Sequence, residues 1–329
     1  MLELDLDYIK NMVADDLITC LNKMGVYYRI VSRTKSMYSI DKKIALKHEN
    51  YVKNQDKLQD IIGIRLILYF FEDVDVVASI IREHFDCIKE SESNSLDDIK
   101  KYANLPKEIK RTIKIDDLAD KVFMPTRLNL VAKINSQYQD AFRTEIENTL
   151  PQYKDYIDNT YEIQIRTILS EGWHEVEHDL RYKSRNEKWW DSCAEESRML
   201  NGLMATLETS ERAMNNIFAS IAYKNYKSGE WSAMVRNHLK LRTLTITLSQ
   251  EVSDAFAADR LIAKTFIKFN REKIIKALYL IKSKFPLTLD NLVFLFNRLG
   301  PQYESILQLE PNPIQKALNS IFPIVDRGK

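Results

Sequence analysis

Along the first 200 residues, apolar positions switch repeatedly between a spacing of three or four and a spacing of two. Leu4, Tyr8, Ile9, Met12, Val13, Leu17, Leu21 and Met24 follow the first pattern, which predicts a helix over 4–25 with Gly25 at its C-terminal stop. VYYRIVSR (26–33) is β-branched and aromatic and predicts a strand. Ser36 is placed to cap a second helix whose inner side would carry Ile40, Ile44 and Ala45. DIIGIRLILYF (60–70) is an almost unbroken apolar run, the pattern of a strand inside a sheet, and DVDVVASIIREHF (73–85) follows as a helix. Residues 88–121 are polar with weak periodicity and read as a surface excursion. LNLVAKI (128–134) and YEIQIRT (161–167) read as strands, 138–160 as a helical insertion broken at Pro151, and ILSEGWHEVEHDLRYK (168–183) as a helix.

This alternation predicts an α/β layer architecture of the α+β kind, a mixed β-sheet flanked by helices, over residues 1–200. Beyond residue 200 the pattern changes. LIAKTFIKFNREKIIKALYLIKSKF (261–285) and LDNLVFLFNRLG (289–300) predict an all-helical C-terminal domain over 201–329, with no fixed repeat period.

Composition narrows the picture. A hydrophobic content of 45% with 29% charged residues suffices for a buried core. No apolar run approaches the ~18 residues needed to span a bilayer. The start, MLELDLDYIKNMVADDL, is acidic and amphipathic, unlike a secretion signal. Cys20, Cys87 and Cys193 are far apart with no CxxC, which fits buried free thiols in a reducing cytoplasm and disfavours zinc. With 7 glycines in 329 residues, a Gly-rich phosphate loop is not expected. The net charge is +1, yet residues 223–284 hold 13 Lys/Arg against 5 Asp/Glu. That stretch would suit an acidic partner or form a solvated helical surface.

Three segments carry candidate chemistry. In SRTKSMYSIDKK, Arg33, Lys35, Lys42 and Lys43 surround Ser36 and Ser39 at a predicted helix start, where unpaired N–H groups and hydroxyls suit a phosphate. In DIIGIRLILYF, a carboxylate at the mouth of a buried strand must be paired or hold a metal. Taken alone, the segment suggests an Asp60–Arg65 pair. In YEIQIRT, alternation puts Glu162, Gln164 and Arg166 on one strand face. Together these supply two carboxylates for Mg²⁺ (Asp60, Glu162), several cations and a helix start, the parts phosphoryl-group transfer needs.

SRTKSMYSIDKK resembles the RxKSxxSI motif of RelA/SpoT synthetase domains. QDIIGIRLI resembles their D-[IL]-[IVA]-[GA]-[IVL]-R strand, and YEIQIRTILSEGWHEVEHDLRYK their EIQIRT strand and following EHxxxYK helix. The three stand in family order over roughly 26–185. The resemblance implies a nucleotidyltransferase-like domain that moves the β,γ-pyrophosphoryl group of ATP to a 3′-hydroxyl of a nucleotide acceptor, GDP, GTP or an adenosine nucleotide. It implies that Arg33 contacts adenine, that Lys35, Ser36, Ser39 and Arg65 hold phosphates, and that Asp60 and Glu162 ligate Mg²⁺. Glu162 would also activate the attacking hydroxyl, and Gln164 would place the acceptor. Glu177, His178, Tyr182 and Lys183 would be structural, and His174 a helix-surface histidine.

The family's guanine-binding segment, NGYxSxH, has no counterpart. The strand in its place reads DKVFMPTRLNLVAKI, with Asn129 nearest the histidine position. Phe123 is the candidate replacement for the stacking ring, and Arg127 for an acceptor-phosphate contact. The motifs begin near residue 26, so no hydrolase half is expected ahead of them, and the His178-Asp179 dipeptide lies inside the synthetase helix. Two further readings stay open. One is a toxin-like enzyme that pyrophosphorylates the tRNA 3′ end, with residues 223–284 and their aromatics contacting nucleic acid and an antitoxin or regulatory protein on the helical domain. The other is a non-catalytic nucleotide-binding module.

Overall fold

The computed structural model describes residues 6–53, 57–93, 127–176 and 193–324. Two compact units are present: residues 1–18, 28–74 and 81–211 form one, and residues 19–27, 75–80 and 212–329 the other.

The first unit holds a mixed five-stranded sheet in the order β1-β2-β5-β4-β3. Its strands are β1 (Tyr28–Thr34), β2 (Ile62–Leu68), β3 (Cys87–Ser93), β4 (Arg127–Lys133) and β5 (Thr160–Thr167). β2 and β5 pair in parallel, and the other pairs are antiparallel. The helices of the chain up to this unit's end are α1 (Asp7–Met24), α2 (Met37–Lys53), α3 (Asp73–His84), α4 (Ser136–Thr149), α5 (Ile168–Val176) and the start of α6 (Ala194–Ser228). A 3-10 turn at Pro151–Tyr156 follows α4, as the proline predicts.

Alternation fixes which residues face the core. Ile62, Ile64, Leu66, Tyr161, Ile163, Ile165, Leu128 and Leu130 are buried on one sheet face. The residues between them, Gly63, Arg65, Glu162 and Gln164, are only half-buried on the other. At ~25 cal/mol per Å² of apolar surface removed from water, that buried face is the main stabiliser of the sheet.

Three details differ from the sequence reading. The polar run after residue 87 is not all excursion: Cys87–Ser93 is strand β3, paired antiparallel with β4 at the sheet edge. An edge strand needs little apolar character, and charged residues there discourage edge-to-edge pairing. The rest of that run, 94–121, lies outside the described residues. On α2, Ile40 and Ile44 are buried as expected, but Ala45 is exposed. Of the cysteines, all free, Cys20 is buried while Cys87 and Cys193 are half-buried. Burial pushes the Cys20 thiol up to about 11, so it is inert near neutral pH.

The second unit is helical, with the remainder of α6 and then α7 (Trp231–Leu239), α8 (Gln250–Ala258), α9 (Arg260–Lys268), α10 (Arg271–Leu280), α11 (Leu289–Leu299), α12 (Glu304–Leu307) and α13 (Asn312–Asn319). Polar caps divide it. Ser249, Asp259, Asn270 and Thr288 each accept a hydrogen bond from a backbone N–H of the helix they precede. Asn270 thus splits the 261–285 run into two helices whose apolar periods looked continuous. Among the described residues no helix is long and apolar enough to cross a membrane.

A buried ion pair locks the end of this unit. Arg298 donates from Nε to Glu310 Oε1 at 2.8 Å and from Nη2 to Oε2 at 2.5 Å, with both side chains fully buried. Its Nη1 reaches Asn319 Oδ1 at 2.8 Å, so α11, the turn before α13 and the end of α13 meet on one guanidinium. Removing one partner would leave a charge buried alone. Glu310→Ala should therefore destabilise this unit by about 3–5 kcal/mol in chemical denaturation. A loss below about 1 kcal/mol, the scale of exposed pairs, would show that the pair does not hold it together.

Candidate active site

The site is built on the polar face of the sheet. Register places Arg33 opposite Gly63, and Gly63 opposite Glu162. One row along, Val31 stands opposite Arg65, Arg65 opposite Gln164, and Gln164 opposite Asn129. Gly63 adds no side chain between Arg33 and Glu162, so the floor stays open there. Segments distant in sequence thus meet in one cleft lined by Val31, Arg33, Lys35, Asp60, Arg65, Glu162, Gln164 and Glu175, among others.

Asp60 precedes β2, and the chain bends at Ile61. Ile61 and Ile62 are both buried, which breaks the strand alternation and lets Asp60 reach the polar side. Its Oδ2 accepts from Lys35 Nζ at 2.5 Å and from Lys43 Nζ at 2.7 Å. The expected Asp60–Arg65 pair is not formed, because Lys35, ahead of α2, and Lys43, within it, take the carboxylate. The backbone of the same loop is tied down as well, Lys35 N donating to Ile61 O at 2.8 Å. Burial raises the Asp60 carboxyl, but Lys35 and Lys43 outweigh it and hold it below the ordinary carboxylate value. Burial is also the main influence on Lys35 and lowers it, with Asp60 opposing.

Arg65 instead donates to Glu171 and Glu175, one turn apart on α5, and from Nε to Gln164 Oε1 at 3.4 Å. Arg166 donates to Glu171 Oε2 at 3.1 Å and to Gln164 Oε1 at 3.0 Å. Gln164 Nε2 in turn donates to Glu162 Oε2 at 2.7 Å. The polar face of β5 is therefore one hydrogen-bonded chain that ends on Glu162. Helix α5 packs on β5 and β2 and buries Ser170, Trp173 and His174. His174 is thus an inward residue, 3% exposed, and not the surface histidine expected. It follows Ser170 and Trp173 at helical spacing, which puts all three on one stripe.

Ser36 caps α2: its Oγ accepts from Ser39 N at 3.4 Å and lies 2.9 Å from Ser39 Oγ. Both serines are exposed and stand beside the cleft lining, not within it. Asn129 lies opposite Gln164, its buried Oδ1 without a hydrogen-bond partner. Arg127 opens β4, with its side chain outside what is described. Phe123 lies outside the described residues, as do Glu177, His178, Asp179, Tyr182 and Lys183. Glu171 and Glu175 were not singled out as site residues from the sequence, although their one-turn spacing was there to be read, and Arg166 was placed on the polar strand face but given no role.

The donor set can take a divalent ion. Asp60 Oδ1 is buried with no hydrogen-bond partner, and Glu162 lines the same cleft. No cluster of three or more acidic, histidine or cysteine ligands occurs among the described residues. Two carboxylates on one cleft, Asp60 and Glu162, fit Mg²⁺, which commonly uses one or two carboxylates plus water and phosphate oxygens.

Residues 32–187 match the family model described as a region found in RelA / SpoT proteins, a span just under half of the chain. The chain carries a RelA/SpoT region. That span includes every cleft residue named above except Val31. Solved structures with a related trace include a GTP pyrophosphokinase family protein from Streptococcus pneumoniae, at 18% identity and TM-score 0.41, covering 62% of this chain and 86% of that one. Small alarmone synthetase 1 from Bacillus subtilis matches at 19% identity and TM-score 0.38, covering 63% and 93%. Small alarmone synthetase 2 of the same organism matches at 20% and 0.38, covering 64% and 94%. Likeness at that level carries no argument about chemistry. A search of curated proteins found no match.

The Asp60 cluster predicts a pH response. A carboxylate held below its ordinary value of ~3.9 stabilises the fold fully above that value and loses the contribution as pH falls through its folded value. The stability gap between wild type and Asp60→Asn should be constant from neutral pH down to about 4 and then close on further acidification. A gap that opens on acidification, followed by thermal unfolding, would contradict the pairing.

Proposed function

We propose that the cleft transfers the β,γ-pyrophosphoryl group of ATP to the 3′-hydroxyl of a nucleotide acceptor, with the chemistry confined to residues 1–200. The observation that carries this reading is the convergence of Arg33, Lys35, Asp60, Arg65, Glu162 and Gln164 in one cleft, from three segments more than twenty residues apart. The RelA/SpoT region covers all of them.

Arg33 contacts the adenine. Lys35, Ser36, Ser39 and Arg65 hold the triphosphate, the serines at a helix start whose N–H groups favour anions. Asp60 and Glu162 hold Mg²⁺, which, when bound, neutralises charge on the phosphates. Gln164 orients the acceptor, with Arg127, Asn129 and Phe123 on its side. The acceptor 3′-oxygen forms a bond to the β-phosphorus and the bond from that phosphorus to the α,β-bridging oxygen breaks. AMP leaves, and the hydroxyl proton passes to the Glu162 carboxylate. A sugar hydroxyl is a poor nucleophile unaided, and a positioned base contributes about 10²–10⁴ in rate.

A tRNA 3′ end as acceptor has one observation in its favour. Near the end of α6, exposed Tyr223 and half-buried Tyr226 carry Lys227 over their rings, and Arg260 lies 5.4 Å from the Tyr226 ring centre. Such rings and cations suit unpaired bases. Trp231 and Phe266, in contrast, are buried and serve the core. On this reading residues 201–329 bind RNA; otherwise they serve regulation or a protein partner.

ATP labelled at the α- or γ-phosphate, with magnesium and GDP, GTP, ADP, ATP or tRNA offered separately, tests the assignment. One AMP should appear for each labelled acceptor, and the labelled species identifies the acceptor. ADP and inorganic phosphate alone would refute pyrophosphoryl transfer. Glu162→Gln should lower transfer by about 100-fold or more and leave ATP affinity largely intact. Near-normal turnover in that variant would remove Glu162 from the chemistry.

A further inference from the structure

We propose that Glu175 is a built-in occupant of the phosphate-binding guanidinium, a carboxylate that a nucleotide triphosphate must displace from Arg65, and that it restrains the cleft's affinity for polyphosphates. This rests on the reading of the cleft as an ATP site.

Arg65 is clamped by two carboxylates that differ in kind. Glu171 is 14% exposed and is shared with Arg166, so it belongs to the frame that fixes β5 against α5. Glu175 is 60% exposed, lines the cleft and meets Arg65 on the same Nη1 nitrogen as Glu171 does. One guanidinium thus faces two full negative charges. An incoming phosphate oxygen can take the place of Glu175 at little cost, since most of that side chain already meets water. Displacing Glu171 would strip Arg166 too.

Two effects follow. Glu175 lowers the affinity of any anion for Arg65, because binding there is an exchange and not an addition. Its charge also repels the phosphate tail until the exchange occurs. Both penalties fall on ligands whose phosphate tail reaches Arg65, and a nucleoside monophosphate, which lacks that tail, escapes them. Exposed carboxylate–cation pairs have small net strength, so the expected effect is modest and measurable.

Binding of ATP and of AMP to the full chain, measured by calorimetry at fixed magnesium, provides the test. Glu175→Gln should tighten ATP by roughly 2- to 5-fold and leave AMP unchanged. Added salt should shrink the difference. Glu175→Asp keeps the charge but withdraws it by one methylene, and should recover part of the gain. Glu171→Gln, in contrast, should weaken ATP binding and lower the melting temperature. Unchanged ATP affinity in Glu175→Gln, with ATP bound by both proteins, overturns the inference and leaves the parent reading standing. An equal gain for AMP also overturns it, because the effect would then be general charge removal. Failure of ATP to bind either protein overturns both readings.

Discussion

The cleft depends on the attachment of Lys35 and Lys43 to Asp60. These residues belong to the β1–α2 connection, to α2 and to the approach to β2, and one carboxylate oxygen joins all three. With the Lys35 N–H bonded to Ile61 O, the start of α2 is held beside the mouth of β2 by backbone and side chain together. Two ammonium groups on one carboxylate leave a positive excess at that helix start. The excess cannot be relieved inside the cluster, and phosphate oxygens are what it suits. The pair is also mostly buried, so its geometry does not melt away in salt as an exposed pair would.

Parallel pairing of β2 with β5 does the rest. It brings Gly63 opposite Glu162 and Arg65 opposite Gln164, placing residues about 100 positions apart side by side. The buried face of the same strands sets this register. A slip by one residue would turn Ile163 and Ile165 to solvent and Glu162 into the core. The apolar alternation that stabilises the sheet is therefore also what aims the charged residues, and a single constraint serves packing and chemistry.

Legibility in the sequence followed the physics of each signal. Helix α1, strands β1, β2, β4 and β5 and the Ser36 cap were readable because local period and capping chemistry determine them. The face shared by Glu162, Gln164 and Arg166 was readable for the same reason. Strand β3 was not, since an edge strand can satisfy its pairing with a polar, weakly alternating sequence such as Cys87–Ser93. The partner of Asp60 was misread because proximity in sequence favoured Arg65. Only the bend at Ile61, a tertiary feature, turns the carboxylate toward Lys35 and Lys43. The buried inward turn of His174 needed the contact of α5 with the sheet, and the Arg298–Glu310 pair needed α11 and the turn before α13 to meet. Neither leaves a local trace.

The charges of the cleft are paired unevenly, and the unevenness has chemical sense. Lys35 and Lys43 share Asp60, and Arg65 is paired with Glu171 and Glu175. Arg33 has no carboxylate partner among the described residues and stands exposed at the cleft edge. A cation left unpaired in the interior of a cleft would attract any small anion and would be costly to hold while empty. At the rim, water solvates it, and its flat guanidinium stays available for stacking on a base. Paired cations on the floor and an unpaired one at the edge therefore divide recognition in two. On the proposed reading the edge would meet the base and the floor, where Glu175 yields, would meet the phosphates, which favours a ligand that carries both parts over free phosphate or a free base.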